Sequence, residues 1–337
     1  MKGWKLTKPL FLKEVENTDN NEGYSLSKVK ITKALITRSD VLRYNGEIET
    51  ENVYLGSSGI GIIVEAEQNL FGLEKGKRVY IEPIRECGEC YNCKNDKSTD
   101  CSDIKIAGED FDGFLSNFAT APLDKIYLLP DSVSDMNALF LGHVSKALKI
   151  IDRLKIQKGD YVAVIGADNF GIIFSQLLIY YQAVPILMTM DENNFKIAKE
   201  SGIYYVLGKD DNWVKEVATI TGGRMSENVV YISDCNISSA KAFSLATYNA
   251  NVVFTGIPNN NTVHFMQAVK KQLNILCINN GFGNTASSIN LLANKAVNLS
   301  YLDVNKVSYN AVPEVFNNLT SQLDNEQLIN EVIVEMI

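Results

Sequence analysis

Cys87, Cys90, Cys93 and Cys101 stand at C-x2-C-x2-C-x7-C, and they are four of the six cysteines in the chain. Zinc takes four deprotonated sulfurs at the corners of a tetrahedron, and spacings this short let one loop wrap round the ion. The competing reading is a pair of disulfides, which a reducing compartment disfavours and which cysteines this close adopt only with strain. Four thiolates close the coordination sphere, so an ion held this way braces structure and leaves no position for substrate. The spacing therefore predicts one structural zinc per chain. Cys235 and Cys277, in the apolar runs VVYISDC and NILCIN, read as buried small hydrophobes.

A second group of residues carries a different chemistry. Gly166-Ala167-Asp168-Asn169-Phe170-Gly171 lies between the apolar run YVAVIG and an apolar helical stretch. A dinucleotide-binding loop there reads G-x-G-x-x-G: the first glycine turns the chain, the second admits the pyrophosphate and the third packs helix on strand. Asp168 occupies the middle position. A carboxylate about 4 Å from a phosphate charge is repelled by about 4 kcal/mol at an effective dielectric near 20, unless the side chain turns away. An acid for the adenosine ribose is expected at the end of the following strand, where Thr189 stands with Asp191 two positions beyond. No arginine follows within ENNF to accept a 2′-phosphate. Two readings stay open: retained binding of NAD or NADP, or a doubly wound sheet that has kept the loop and lost its dinucleotide.

These residues need elements to hold them. Before residue 130 the chain shows short alternating or apolar runs broken by glycine (ITKALIT, GIGIIVEAE, KRVYIEP, FLSNFATAPL), the pattern of an irregular, mostly antiparallel β domain. From about residue 134 strands and helices alternate, which implies right-handed βαβ crossovers and a parallel sheet. Expected boundaries are 1–133 for the β domain with its cysteine lobe at about 85–103, 134–282 for the parallel-sheet domain, and 283–337 for a return to the first. Residues 169–190 carry no charge over a length that could span a bilayer, but a buried helix followed by a buried strand accounts for them.

Composition narrows the class further. The formal charge of -8, with no basic run longer than two residues, leaves no footprint for nucleic acid or anionic lipid. The first residues, MKGWKLTKPLFLKEVENTD, lack an apolar export segment, so a cytoplasmic protein is expected.

The order of motifs resembles the zinc-type medium-chain dehydrogenase/reductase superfamily, the alcohol dehydrogenase branch. ALITRSDVLRYNG is similar to A-x-G-I-C-G-S-D-x-H-x-Y-x-G, LGSSGIGIIVEAE to L-G-H-E-x-x-G-x-V-x-E-V-G, and GLEKGKRVYIEP to the G-D-R-V segment. DGFLSNFATAPLDKIYLLPDSVS and SINLLANKAVNLSYL continue the likeness nearly to the end of the chain. The resemblance implies an α/β protein with a GroES-like, mostly β catalytic domain and a Rossmann doubly wound domain. It places the family's structural zinc on Cys87, Cys90, Cys93 and Cys101. The catalytic zinc does not carry over: the ligand cysteine falls at Thr37, the histidine at Ser57, the neighbouring glutamate at Ser58 and the later cysteine near Leu141. Hydroxyls are poor zinc ligands beside thiolate or imidazole. His143, two residues past Leu141, is the candidate for a rebuilt metal site, against the plainer reading of a packed histidine.

Ser39 and Asp40 match the family's S-D pair, a proton relay and an orienting acid. Their plainer reading is a helix N-cap ahead of VLRY. The resemblance converges Thr37, Ser39, Ser57 and Ser58 on the vacated metal position, with Tyr44 at the pocket mouth. Candidate catalytic residues are accordingly Ser39, Thr37, Tyr44 and Ser57, and candidate cofactor residues Gly166, Asp168, Gly171, Thr189 and Asp191. The expected activity is NAD(P)(H)-dependent reduction of a small carbonyl or activated alkene without catalytic zinc. The alternatives are a non-catalytic binding or scaffold relative and a conventional zinc alcohol dehydrogenase. A homodimer or dimer of dimers, joined through the last parallel strand in NILCIN, is implied by the same resemblance.

Overall fold

The structure, a computed structural model, describes residues 2–16, 26–50, 52–66, 72–232, 237–256, 265–325 and 329–336. The chain forms two compact units, residues 1–141 with 304–337, and residues 142–303. Cys235 and His264 lie outside the described residues.

The first unit is built on a seven-stranded sheet whose central member is Leu26–Ile36. That strand pairs antiparallel with Ser58–Glu65, Phe118–Pro122 and Val332–Glu335. Its inward residues are Val29 and Ile31, then Ala34 and Ile36. A strand alternates with period two, so the inward set should have fallen at 33 and 35. A register shift between Ile31 and Lys33 resets the phase. Bulges bend a strand and re-aim the residues beyond them, and the first residue past the end of this strand is Thr37. Val332–Glu335 comes from the far end of the chain, and the Val312–Asp324 helix closes over the same core through Phe316, 0 % exposed.

The second unit is a six-stranded parallel sheet in the order Tyr205–Leu207, Val184–Met188, Tyr161–Ile165, Ser226–Tyr231, Ala246–Phe254, Asn274–Cys277. This is the doubly wound order 3-2-1-4-5-6, with its switch point between the first and fourth strands. Val162, Ala163, Val164 and Ile165 are all fully buried, as a strand covered on both faces must be. The uncharged stretch resolves into the Asn169–Tyr180 helix and the Val184–Met188 strand, and among the described residues no helix is long and apolar enough to cross a membrane.

Residues 283–303, read from sequence as part of the C-terminal return, belong to the second unit. Polar ties explain the difference: Ser145 and Ser288 share a hydrogen bond of 2.8 Å, Gln176 bonds both backbone groups of Asn298, and Asn169 does the same at Asp303. Cys277 is exposed and not buried, because its strand forms the edge of the sheet.

Candidate active site

In the cysteine lobe the ladder Ile84–Arg85 with Lys105–Ile106 closes the loop, and two 3-10 turns, Cys93–Asn95 and Ser98–Asp100, carry the chain between ligand positions. The sulfurs of Cys87, Cys90, Cys93 and Cys101 all lie within 4.8 Å of one another, with contacts of 3.5 Å for Cys87–Cys101 and 4.0 Å for Cys87–Cys93 and Cys90–Cys101. A tetrahedron with Zn–S bonds of about 2.3 Å has edges of about 3.8 Å. All four thiols are free. Cys87 Sγ accepts the Cys90 N–H at 3.3 Å, and Cys101 Sγ accepts those of Cys87 and Asp103 at 3.4 Å. Backbone donors at Cys93 and Ser102 hold the Cys90 thiol well below its ordinary range, while desolvation and the neighbouring Cys90 sulfur push Cys93 up, so the two thiols shift in opposite directions. Amides aimed at sulfur favour thiolate, the form that binds metal. The four-cysteine cluster fits a structural zinc.

Around Asp40 a different arrangement appears. The Arg38–Asn45 helix starts at Thr37 as N-cap, and its third residue, Asp40, is 0 % exposed. Asp40 Oδ2 accepts from Thr37 N at 2.8 Å, Thr37 Oγ1 at 2.9 Å and Ser57 Oγ at 2.7 Å. Its Oδ1 accepts from Gly56 N at 3.0 Å and faces Arg43 Nη1 at 3.5 Å. Arg43 also donates to Ser57 Oγ at 3.2 Å and to Glu109 Oε2 at 2.7 Å. Thr37 and Ser57, the positions matched to a zinc-ligand cysteine and histidine, thus meet with their oxygens 3.2 Å apart. They meet over a carboxylate and a guanidinium.

The other candidates of this group are placed elsewhere. Ser39 is exposed on the second residue of the helix, while Thr37 and not Ser39 is the cap. Ser58 donates to the carbonyl of Leu139 at 2.9 Å. Tyr44, expected at a pocket mouth, is turned into the core: it is 4 % exposed, packs on Phe316 at 5.0 Å, and its hydroxyl bonds Leu10 O and Asn317 Oδ1. Burial pushes its pKa up. The i, i+3 spacing of Asp40 and Arg43 on a helix is a signal the sequence carried for the ion pair. Glu109 gave none.

In the second unit Gly166 takes a left-handed backbone, φ +109°, and a Cβ on Gly171 would lie 2.1 Å from the Gly166 carbonyl. Both glycines are therefore required by the turn. Asp168 caps the Asn169–Tyr180 helix, with Oδ1 accepting the Gly171 N–H at 2.7 Å. Its carboxylate has folded back on the helix N-terminus. His143 packs beside the Phe170 ring, 6.0 Å between centroids.

Thr189 is buried and accepts the Asp191 N–H at 3.1 Å, and Asp191 caps the Glu192–Glu200 helix through Asn194 N at 2.8 Å. Beyond them lies a cavity of about 310 Å³ walled by Phe195 and four carboxylates, Asp191, Glu192, Asp210 and Asp211. The one cation lining it, Lys209, is paired with Glu192. Trp213 donates its indole N–H to Gly208 O, also on the cavity wall, at 2.6 Å.

A GroES-like sheet unit bearing a four-cysteine lobe, with a 3-2-1-4-5-6 parallel sheet in a second unit, defines a dehydrogenase-type architecture. Residues 25–131 match the alcohol dehydrogenase GroES-like domain family. An "uncharacterized zinc-type alcohol dehydrogenase-like protein" of Haemophilus influenzae is 26 % identical over 335 residues, 97 % of each chain. Two solved structures share the fold across 98 % or more of both chains: a short chain alcohol dehydrogenase (rspB) from Escherichia coli CFT073 complexed with NADH, TM-score 0.86 at 22 % identity, and a zinc-binding dehydrogenase from Sinorhizobium meliloti 1021 bound to NADP, TM-score 0.85 at 20 % identity. Residues 25–131 thus match the alcohol dehydrogenase GroES-like domain, and nearly the whole chain is similar to zinc-type alcohol dehydrogenase-like proteins.

Proposed function

We propose that this protein is a cytoplasmic, homo-oligomeric NAD(P)(H)-dependent oxidoreductase that reduces a small carbonyl or activated alkene without a catalytic zinc. The observation that carries the reading is the Thr37–Ser57–Asp40–Arg43 cluster. Two hydroxyls stand where thiolate and imidazole would bind metal, and both are committed to a buried carboxylate that is already paired with a guanidinium. Hydroxyls at these positions are a weak donor set for zinc. Alkene reduction next to a carbonyl needs charge stabilisation at one oxygen and tolerates the loss of a Lewis acid better than alcohol oxidation does.

The nicotinamide supplies the hydride when bound. Gly166 and Gly171 shape the loop that would pass its pyrophosphate, and Asp191, whose N–H donates to Thr189 Oγ1, lines the cavity that would suit its adenosine ribose. Four carboxylates there favour ribose hydroxyls over a 2′-phosphate, hence NAD over NADP. The Cys87, Cys90, Cys93 and Cys101 zinc braces its lobe.

One observation favours a second reading, a non-catalytic binding relative: the Asp168 carboxylate itself occupies the Gly171 N–H at the helix end that anions use. Zinc analysis together with NADH and NADPH titration, on one preparation followed by Trp fluorescence, separates the readings. One zinc per chain with NADH bound, and NADH oxidised in the presence of enals, enones or quinones, is expected. One zinc with neither coenzyme bound gives the second reading, and two zinc ions give a conventional alcohol dehydrogenase.

A further inference from the structure

Proton placement in the Asp40 cluster assigns a role that the hydroxyls cannot fill. Thr37 Oγ1 and Ser57 Oγ each own one hydrogen, and both point at Asp40 Oδ2, at 2.9 and 2.7 Å. While Asp40 is ionised, each hydroxyl presents only lone pairs to anything else. Neither is then a donor to a negatively charged oxygen. Arg43 is the donor that remains. A guanidinium has five N–H bonds in a fixed fork. Here Nη1 faces Asp40 and Ser57, and Nη2 gives one hydrogen to Glu109. Nε is buried with no hydrogen-bond partner, on a residue only 5 % exposed. A buried N–H left unmade is costly and marks a place where a partner is missing.

The three anchors of Arg43 differ in permanence. Asp40 is 0 % exposed and held by four other donors, and Ser57 is held by Asp40 in turn. Glu109 has a side chain 31 % exposed, and the guanidinium is its one ion-pair partner among the described residues. It is a carboxylate resting on the outer edge of a buried cation, and it can swing to solvent. With two carboxylates on one guanidinium the cluster carries one net negative charge. When Glu109 leaves, the cluster is neutral and one Nη2 hydrogen faces outward.

We propose that Arg43 is an anion-receiving group and Glu109 its displaceable counterion. The carboxylate, or the enolate-like oxygen, of a small carbonyl compound takes the place of Glu109 Oε2 on Nη2. The proposal rests on the functional reading above for its use in a reaction, and on the cluster's geometry alone for the binding event. Its test therefore needs no turnover. The arginine Nε–H resonances of ¹⁵N-labelled protein are followed while sodium acetate is added, with the Arg43 signal assigned by its loss in Arg43→Lys. Acetate is expected to shift that signal saturably, and Glu109→Gln, which keeps the side chain's shape and removes its charge, is expected to bind acetate at least tenfold more tightly. Gly56, whose N–H is tied to Asp40, gives a backbone signal for the Arg43→Lys protein, where the acetate response should vanish while the zinc content stays at one. Absence of a shift in Glu109→Gln, or an acetate response at Gly56 that survives Arg43→Lys, overturns the proposal. Failure of coenzyme binding would instead sink the functional reading and leave this one standing.

Discussion

Asp40 is the residue on which the cluster turns, because it is a fully buried charge with five donors. Its attraction to Arg43 does not by itself establish stability, since desolvating two ions costs several kcal/mol each. Removing one partner is another matter. Asp40→Asn keeps the shape but leaves the guanidinium short of its inner counterion and turns an amide N–H toward other donors. Urea denaturation should show a loss of about 3 kcal/mol, with zinc content unchanged. A loss under about 1 kcal/mol would mean that Glu109 alone neutralises Arg43. The match of Thr37 and Ser57 to a family's metal-ligand positions needed only motif alignment and could be read from the sequence. The partners of those hydroxyls could not: Glu109 lies 66 positions from Arg43 along the chain, and only the folded sheet brings the two together. Tyr44 misled for a related reason, since a helix position says which way a side chain faces only when its neighbours are known.

At the scale of elements, the Asn169–Tyr180 helix shows how one side chain can serve a fold and oppose a ligand. Asp168 stabilises the helix N-terminus by capping Gly171, a contribution of about 1 kcal/mol over alanine and little over glycine. The same carboxylate stands in the loop where a pyrophosphate is expected. Its backbone, φ -68° and ψ -179°, is open to any residue, so Asp168→Gly introduces no strain. NADH affinity should rise at least tenfold in this variant, read by Trp fluorescence, while the urea midpoint falls only slightly. Equal affinities in the two proteins would show that the folded-back carboxylate is already out of the phosphate's way. Strands and helices of this unit were readable because each crossover repeats the same apolar spacing. The phase shift between Ile31 and Lys33 was not readable, because a bulge belongs to a pair of strands and not to either one.

For the molecule as a whole, the chain leaves the first unit at residue 141 and re-enters it at 304, so that strand Val332–Glu335 completes a sheet begun at Leu26. The two units also differ in how they hold their tyrosines. Burial, aided by Asp112, pushes Tyr54 up to about 12, and burial with Glu82 does the same to Tyr127. Tyr80, Tyr309 and Tyr44 are raised too, chiefly by burial, and all five lie in the first unit. In the second unit Tyr181 is raised, again chiefly by burial. These phenols stay protonated in the folded state, whereas in the unfolded chain they ionise near pH 10. Their contribution is therefore intact below pH 10 and is lost as pH climbs toward 12. The chain's two tryptophans report on the units separately: Trp4 packs against Tyr309 in the first, and Trp213 is 2 % exposed in the core of the second. In Trp213→Phe, fluorescence follows Trp4, and its urea midpoint should fall steeply between pH 10 and pH 12. In Trp4→Phe it follows Trp213, whose midpoint should move less, since five raised phenols lie in the first unit. Coincident midpoints across that range would mean that the two units unfold as one, and a Trp213 signal lost first would reverse the assignment of the alkali-sensitive unit.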